Sequence, residues 1–233
     1  MKKLQEKLDF LLEKYAVNVK VEICDGKSAK FDGKVREIYP WRSERRFFEM
    51  KKAVDIGELN NISTFRITHI TKQGTDLYEL LRREADVFEF ILGSKIVEIF
   101  AVENTGYALN ATVLSENGYV GSFELASTLS ENEIPVEKHE IIAKSGNMCD
   151  MVVDTQVPQS SIYVMKADGE TSRYTDVDAE LFGLTIDECA IVRTCWNMAR
   201  GESSMFADGE HLDAVISAAK KSISDVENVA VAK

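Results

Sequence analysis

The sequence predicts an α+β fold: one mainly antiparallel open sheet with helices packed on one face, preceded by a short helix-strand stub. Three observations predict it. Residues 75–93 carry the clearest amphipathic helix of the chain. Between 62 and 175, alternating segments flank the turn signals Glu116-Asn117-Gly118, Ser145-Gly146-Asn147 and Asp168-Gly169, each the mark of a hairpin. The last third then returns to helical spacing.

Taken in order, residues 1–15 form an amphipathic helix with Leu4, Leu8, Leu11, Leu12 and Tyr15 on one face, and 17–23 an alternating strand. The following CDGKSAKFDGK reads as a turn or hairpin; its glycines lack the G-x-G-x-x-G spacing of a dinucleotide loop. No Walker loop, GxSxG elbow or HExxH occurs in the sequence. A turn near Tyr39, a helix over 44–54, a stop at Gly57 and a strand over 62–70 come next.

In the helix over 75–93, Leu77, Leu80, Leu81, Ala85, Phe88, Ile91 and Leu92 make the apolar stripe. Asp76 stands at the N-cap with Glu79 completing a capping box, and Gly93 ends the helix. Strands over 96–102, 107–114 and 119–126 follow, then paired segments 137–144 with 148–154 and 161–167 with 171–175. Their apolar residues (Tyr107, Leu109, Ala111 and Val113 against Tyr119, Phe123 and Leu125) are expected on both faces of the sheet, leaving a face for a second copy. Thr185 and Glu188 open a helix over 186–199, and Asp208 caps a last helix to about residue 224. The expected sheet has about six to eight strands, covered by the helices around Glu49, Phe88, Val192 and Val215.

Composition narrows the function. A net charge of -11 and a pI near 4.9 exclude a sequence-independent nucleic-acid binder, and no stretch is long and apolar enough to span a bilayer. The four cysteines have no CxxC spacing, which fits reduced thiols in a cytoplasmic protein. His69, His139 and His211 have no metal-ligand spacing, and each reads as a packed or exposed structural residue.

The residues that could carry chemistry lie on the 75–93 helix. Glu79, Arg83 and Asp86 fall at i, i+4 and i+7 along one flank, a pattern that fits a solvated ion-pair ladder or an anion site. Arg42, with Arg45 and Arg46, could meet an acidic ligand from the preceding turn. A carboxylate-pair hydrolase or lyase is disfavoured, because Arg83 between Glu79 and Asp86 would hold both ionised.

This helix, its glycine and the following strand resemble the start of the C-terminal domain of the Gfo/Idh/MocA oxidoreductase family, the glucose–fructose oxidoreductase and inositol dehydrogenase group. There the helix carries an acid, a histidine, and an aspartate seven residues before the glycine; Glu79, Arg83 and Asp86 occupy those positions. The link Asp55, Gly57 and Glu58, and the segment from Gly201 to the end, extend the resemblance over 39–233. It implies that 1–38 is a stub resembling the end of a Rossmann domain and that 39–233 is the family's C-terminal α/β domain. The NAD(P)-binding domain, with its glycine fingerprint and Glu-Lys-Pro lysine, would then lie outside this chain.

Two functions are expected from this. One is a degenerate or truncated relative acting as a ligand-binding or oligomerisation module, with no catalytic residue and no cofactor of its own, inactive alone and homo-oligomeric through the open sheet face. The other is the substrate-binding subunit of a split NAD(P)-dependent sugar or polyol oxidoreductase, completed by a separate nucleotide-binding chain. The candidate ligand residues are Glu79, Arg83, Asp86 and Arg42, for a small anionic or sugar-like ligand. Arginine in the histidine's place cannot shuttle a proton, since its guanidinium stays charged.

Overall fold

The computed structural model describes residues 1–150 and 161–232. In chain order the elements are α1 (Lys2–Lys14), β1 (Val21–Ile23), β2 (Ser28–Phe31), β3 (Lys34–Glu37), α2 (Arg45–Asp55), β4 (Ile62–Lys72), α3 (Leu77–Leu92), β5 (Ile96–Asn104), β6 (Ala108–Ser115), β7 (Val120–Leu129), β8 (Val136–Ala143), β9 (Gly146–Cys149), β10 (Ser161–Lys166), β11 (Thr171–Thr175), α4 (Asp178–Phe182), α5 (Ile186–Ala199), α6 (Gly209–Asp225) and β12 (Val229–Ala230). They form two compact units, Met1–Phe48 with Asp176–Ala207, and Glu49–Thr175 with Asp208–Lys233. No described helix is long and apolar enough to cross a membrane.

In the first unit α1 buries Leu4, Leu8 and Leu12, one turn apart, and packs against α5. The strand expected over 17–23 shortens to Val21–Ile23, and the charged segment after it supplies two more strands, giving an antiparallel sheet in the order β1-β2-β3. Asp32 and Gly33, both at positive φ, make the tight turn between β2 and β3. The expected capping box of α5 is present: Thr185 Oγ1 accepts from the Glu188 N–H at 3.2 Å, and Glu188 Oε2 from the Thr185 N–H at 2.8 Å.

The second unit is built on a nine-stranded sheet in the order β11-β10-β9-β8-β4-β7-β6-β5-β12. All pairs are antiparallel except β4 with β7 at its middle. The chain leaves β4 through α3, returns at β5, and the β5-β6-β7 meander brings β7 back beside β4. The ninth strand, beyond the expected range, is the two-residue β12 on β5. The part of the expected strand over 148–154 that follows residue 150 lies outside the described residues.

α3 has the predicted stripe, buried throughout. The Asp76 carboxylate accepts from the Tyr78 N–H at 2.8 Å, and Gly93 closes the helix in the left-handed conformation, φ 60°. Phe88 stacks on Phe65 of β4 (centroids 5.8 Å) and meets Phe123 of β7 edge-on (5.9 Å). α6 lies on β5, where the Ala101 N–H donates to Ser222 Oγ at 2.9 Å. Two expectations are corrected here. α5, expected on this sheet, belongs to the first unit, where its stripe meets α1. The apolar residues of β6 and β7 line one face rather than two, because cross-strand partners point the same way: Leu109 pairs with Leu125, Ala111 with Phe123 and Val113 with Gly121. The opposite face carries Asn110, Thr112 and Glu124, all exposed.

Candidate functional site

Strand alternation places Phe65, Ile67 and His69 of β4 on the buried side of the sheet, and the antiparallel register sets Glu137 opposite His69 and His139 opposite Ile67. α3 crosses above them and lowers Glu84 between the two histidines. His69 Nδ1 is 2.7 Å from Glu84 Oε1, and His139 Nε2 donates to Glu84 Oε2 at 2.9 Å. On its other side His139 Nδ1 donates to Asp150 Oδ2 at 2.7 Å, while Asp150 Oδ1 accepts the His139 backbone N–H, also at 2.7 Å. Arg83 closes the network: its guanidinium binds Glu84, lies 3.0 Å from His69 Nδ1, and donates to Glu137 Oε2 at 3.0 Å.

Burial orders these groups. Glu84 and His139 have no exposed side-chain surface, whereas His69, Arg83 and Glu137 keep 8%, 16% and 24%. A solute can therefore touch the Arg83–Glu137 edge and not the Glu84–His139 centre. Burial alone pushes the His139 imidazole down, but the Asp150 and Glu84 carboxylates outweigh it and raise the pKa to about 9. Burial likewise pushes Glu84 up, and Arg83 and His139 overturn that, holding its carboxyl well below the usual range. The centre is thus an imidazolium between two carboxylates, each nitrogen already donating.

Of the residues singled out from sequence, Arg83 is in this network, Glu79 is exposed, and Asp86 is wholly buried on the same helix. Arg42 is in the first unit, where its guanidinium donates to the Ser204 and Phe206 carbonyls at 2.8 and 3.0 Å and ties down that loop. Sequence reasoning missed Glu84, Glu137 and Asp150 and set His69 and His139 aside. A signal for the histidines existed: His69 continues the in-phase series Phe65, Ile67, and His139 precedes Ile141 in phase, so both occupy core positions of alternating strands. A second polar contact on α3 joins Glu89 Oε1 to His211 Nε2 of α6 at 2.9 Å. No group of three or more His, Cys, Asp or Glu among the described residues is arranged to hold a metal ion.

No protein-family model matches the chain, and no curated protein matches it in sequence. Solved structures do match in shape. Levoglucosan dehydrogenase in complex with NADH and levoglucosan superposes with a TM-score of 0.68 at 16% identity, covering 84% of this chain and 65% of that one. An oxidoreductase domain protein from Kribbella flavida gives 0.66 at 14%, covering 84% and 66%. The transcriptional regulator Gal80p from Kluyveromyces lactis gives 0.67 at 14%, covering 84% and 62%. This chain spans less than two thirds of the length of each, and at such identities the likeness is one of fold. The chain shares the fold of the Gfo/Idh/MocA-type oxidoreductases.

Proposed function

We propose that this chain is an oxidoreductase-fold protein that works as a ligand-binding or assembly module and does not transfer hydride by itself. Arg83 carries the reading. It occupies the place where the resemblance puts a histidine, and its guanidinium is engaged by Glu84 and Glu137. A group that cannot give up its proton is unsuited to acid–base work on a hydroxyl, and the histidine that could, His139, is sealed between two carboxylates. The partly exposed Arg83–His69–Glu137 edge offers both donors and acceptors, which suits a sugar-like or anionic small molecule. Two copies pair through the face of β6 and β7 that carries Asn110, Thr112 and Glu124. Unbridged thiols at Cys149, Cys189 and Cys195 support a cytoplasmic location.

Calorimetric titration of the purified chain with NADH and NADPH, followed by a thermal-shift screen of sugar phosphates and sugar acids, tests the reading. Expected are no saturable micromolar binding of either nucleotide, and a stabilising sugar acid or phosphate whose effect is lost in Arg83→Met. Saturable nucleotide binding would overturn it.

The alternative is a substrate-binding subunit completed by a separate nucleotide-binding chain, and its support is the likeness in fold to a dehydrogenase that was solved in complex with NADH. Co-purification with a nucleotide-binding protein, and NAD(P)-dependent turnover of a polyol by the pair only, would select it.

A further inference from the structure

We propose that the first unit holds a second, independent binding site, for a small aromatic carboxylate, in a cavity between α1, α4 and α5. The cavity measures about 330 Å³, within the size range of small-molecule pockets, about 300–1,000 Å³. Its walls include Phe10, Tyr15, Phe182, Val192 and Trp196. Phe10, Tyr15 and Phe182 are 53%, 56% and 45% exposed, so aromatic surface is gathered at the mouth where water is its neighbour. Trp196 meets Tyr15 edge-on at 5.6 Å, and its indole N–H is buried with no hydrogen-bond acceptor among the described residues.

The sign of the ligand follows from the cations. Arg193 lines the cavity, but its guanidinium is fixed by Asp176 (2.8 and 3.0 Å) and Asp178 (2.5 Å), which offset its charge. Lys7 and Lys14 form no ion pair among the described residues. Lys7 Nζ lies 6.0 Å from the Phe182 ring, and Lys14 Nζ lies 5.6 and 5.5 Å from the Phe10 and Tyr15 rings. Asp178 also lines the cavity, but its carboxylate is held by Arg193; in a chain of net charge -11, the ammonium group of Lys7 in the lining and that of Lys14 beside the aromatic mouth select an anion. A flat ring enters among the aromatic walls while its carboxylate meets the lysines.

The test is calorimetry of the full chain with 3-phenylpropionate and its neutral amide, 3-phenylpropanamide. The acid should bind saturably and about tenfold more tightly than the amide, the size of one charge-assisted hydrogen bond. Lys7→Gln with Lys14→Gln should erase that preference without altering the circular dichroism, since both side chains lie at the surface of α1. In a Trp41→Phe background, where Trp196 is the remaining tryptophan, the acid should change the emission. Equal affinity for acid and amide, an unchanged preference in the double variant, or no binding at millimolar acid overturns the proposal. None of these outcomes bears on Arg83, which lies in the other unit.

Discussion

Glu84 makes a heavy demand on its surroundings, being an ionised carboxylate with no exposed surface. Arg83, His139 and His69 satisfy it, and such a group tolerates the loss of a partner badly. Arg83→Ala should therefore destabilise the protein by about 3–5 kcal/mol in urea unfolding, as expected for breaking a buried pair, against a few tenths for an exposed helical one. Arg83→His, restoring the residue that the resemblance implies, should give no dehydrogenase turnover with any polyol and either nicotinamide nucleotide; measurable turnover would refute the proposed function. The imidazolium of His139 fixes a pH dependence. Its folded pKa, about 9, is above the unfolded value of about 6.5. Its stabilisation is therefore fully present below about pH 6.5 and lost as pH rises through about 9. Glu84 has the opposite sign: its depressed pKa stabilises the fold above the ordinary carboxylate range, and that contribution disappears as pH falls through the folded value. Urea midpoints measured from pH 6 to 10 should decline, and the decline should be shallower in His139→Leu.

Among the elements, the seating of α3 on the sheet depends on a missing side chain. A Cβ on Gly121 of β7 would come within 2.5 Å of Val113 Cγ2 and 2.9 Å of the Phe88 ring. Glycine here allows Phe88 to reach down between Phe65 and Phe123, and the same helix placement sets Glu84 between the histidines. Gly121→Ala should cost about 1–3 kcal/mol by overpacking. The check is whether its urea midpoint falls with an unchanged m-value; no loss of stability would mean that the helix shifts freely. At the start of α5, Thr185→Ala removes the reciprocal cap and should cost about 1 kcal/mol, read in the same way.

At the scale of the molecule, the sheet of the second unit is one-sided. Its inner face buries Phe65, Ile67, Leu109, Ala111, Val113, Phe123 and Leu125, and its outer face shows Arg66, Val102, Asn110, Thr112 and Glu124. The proposed pairing of two copies through that outer face predicts a dimer or larger species in sedimentation velocity at tens of micromolar. Thr112 and Ser122 are cross-strand partners on it. Replacing both by lysine sets like charges at the centre of the joint, so Thr112→Lys with Ser122→Lys should shift the protein to monomer. A wild-type monomer would remove assembly from the proposed function.

The sequence by itself determined what neighbouring residues can decide. The extent of α3, its Asp76 cap and Gly93 stop, the capping box of α5 and the hairpins around Asn117-Gly118 and Asp168-Gly169 are where spacing and turn chemistry placed them, because each depends on contacts within a few residues. The antiparallel character of the sheet followed from those hairpins. Tertiary structure decided which polar groups meet. Glu84 lies 15 positions from His69 and 55 from His139, and only the crossing of α3 over β4 and β8 brings the three together. Spacing along α3 pointed instead to Glu79, which is exposed, and passed over Glu84, because a helical period reports the residues sharing a flank and not what the sheet beneath presents. The division into two units was likewise beyond reach of the local pattern: residues 176–207 join the first 48, and α5 shows the same apolar stripe whether a sheet or another helix covers it.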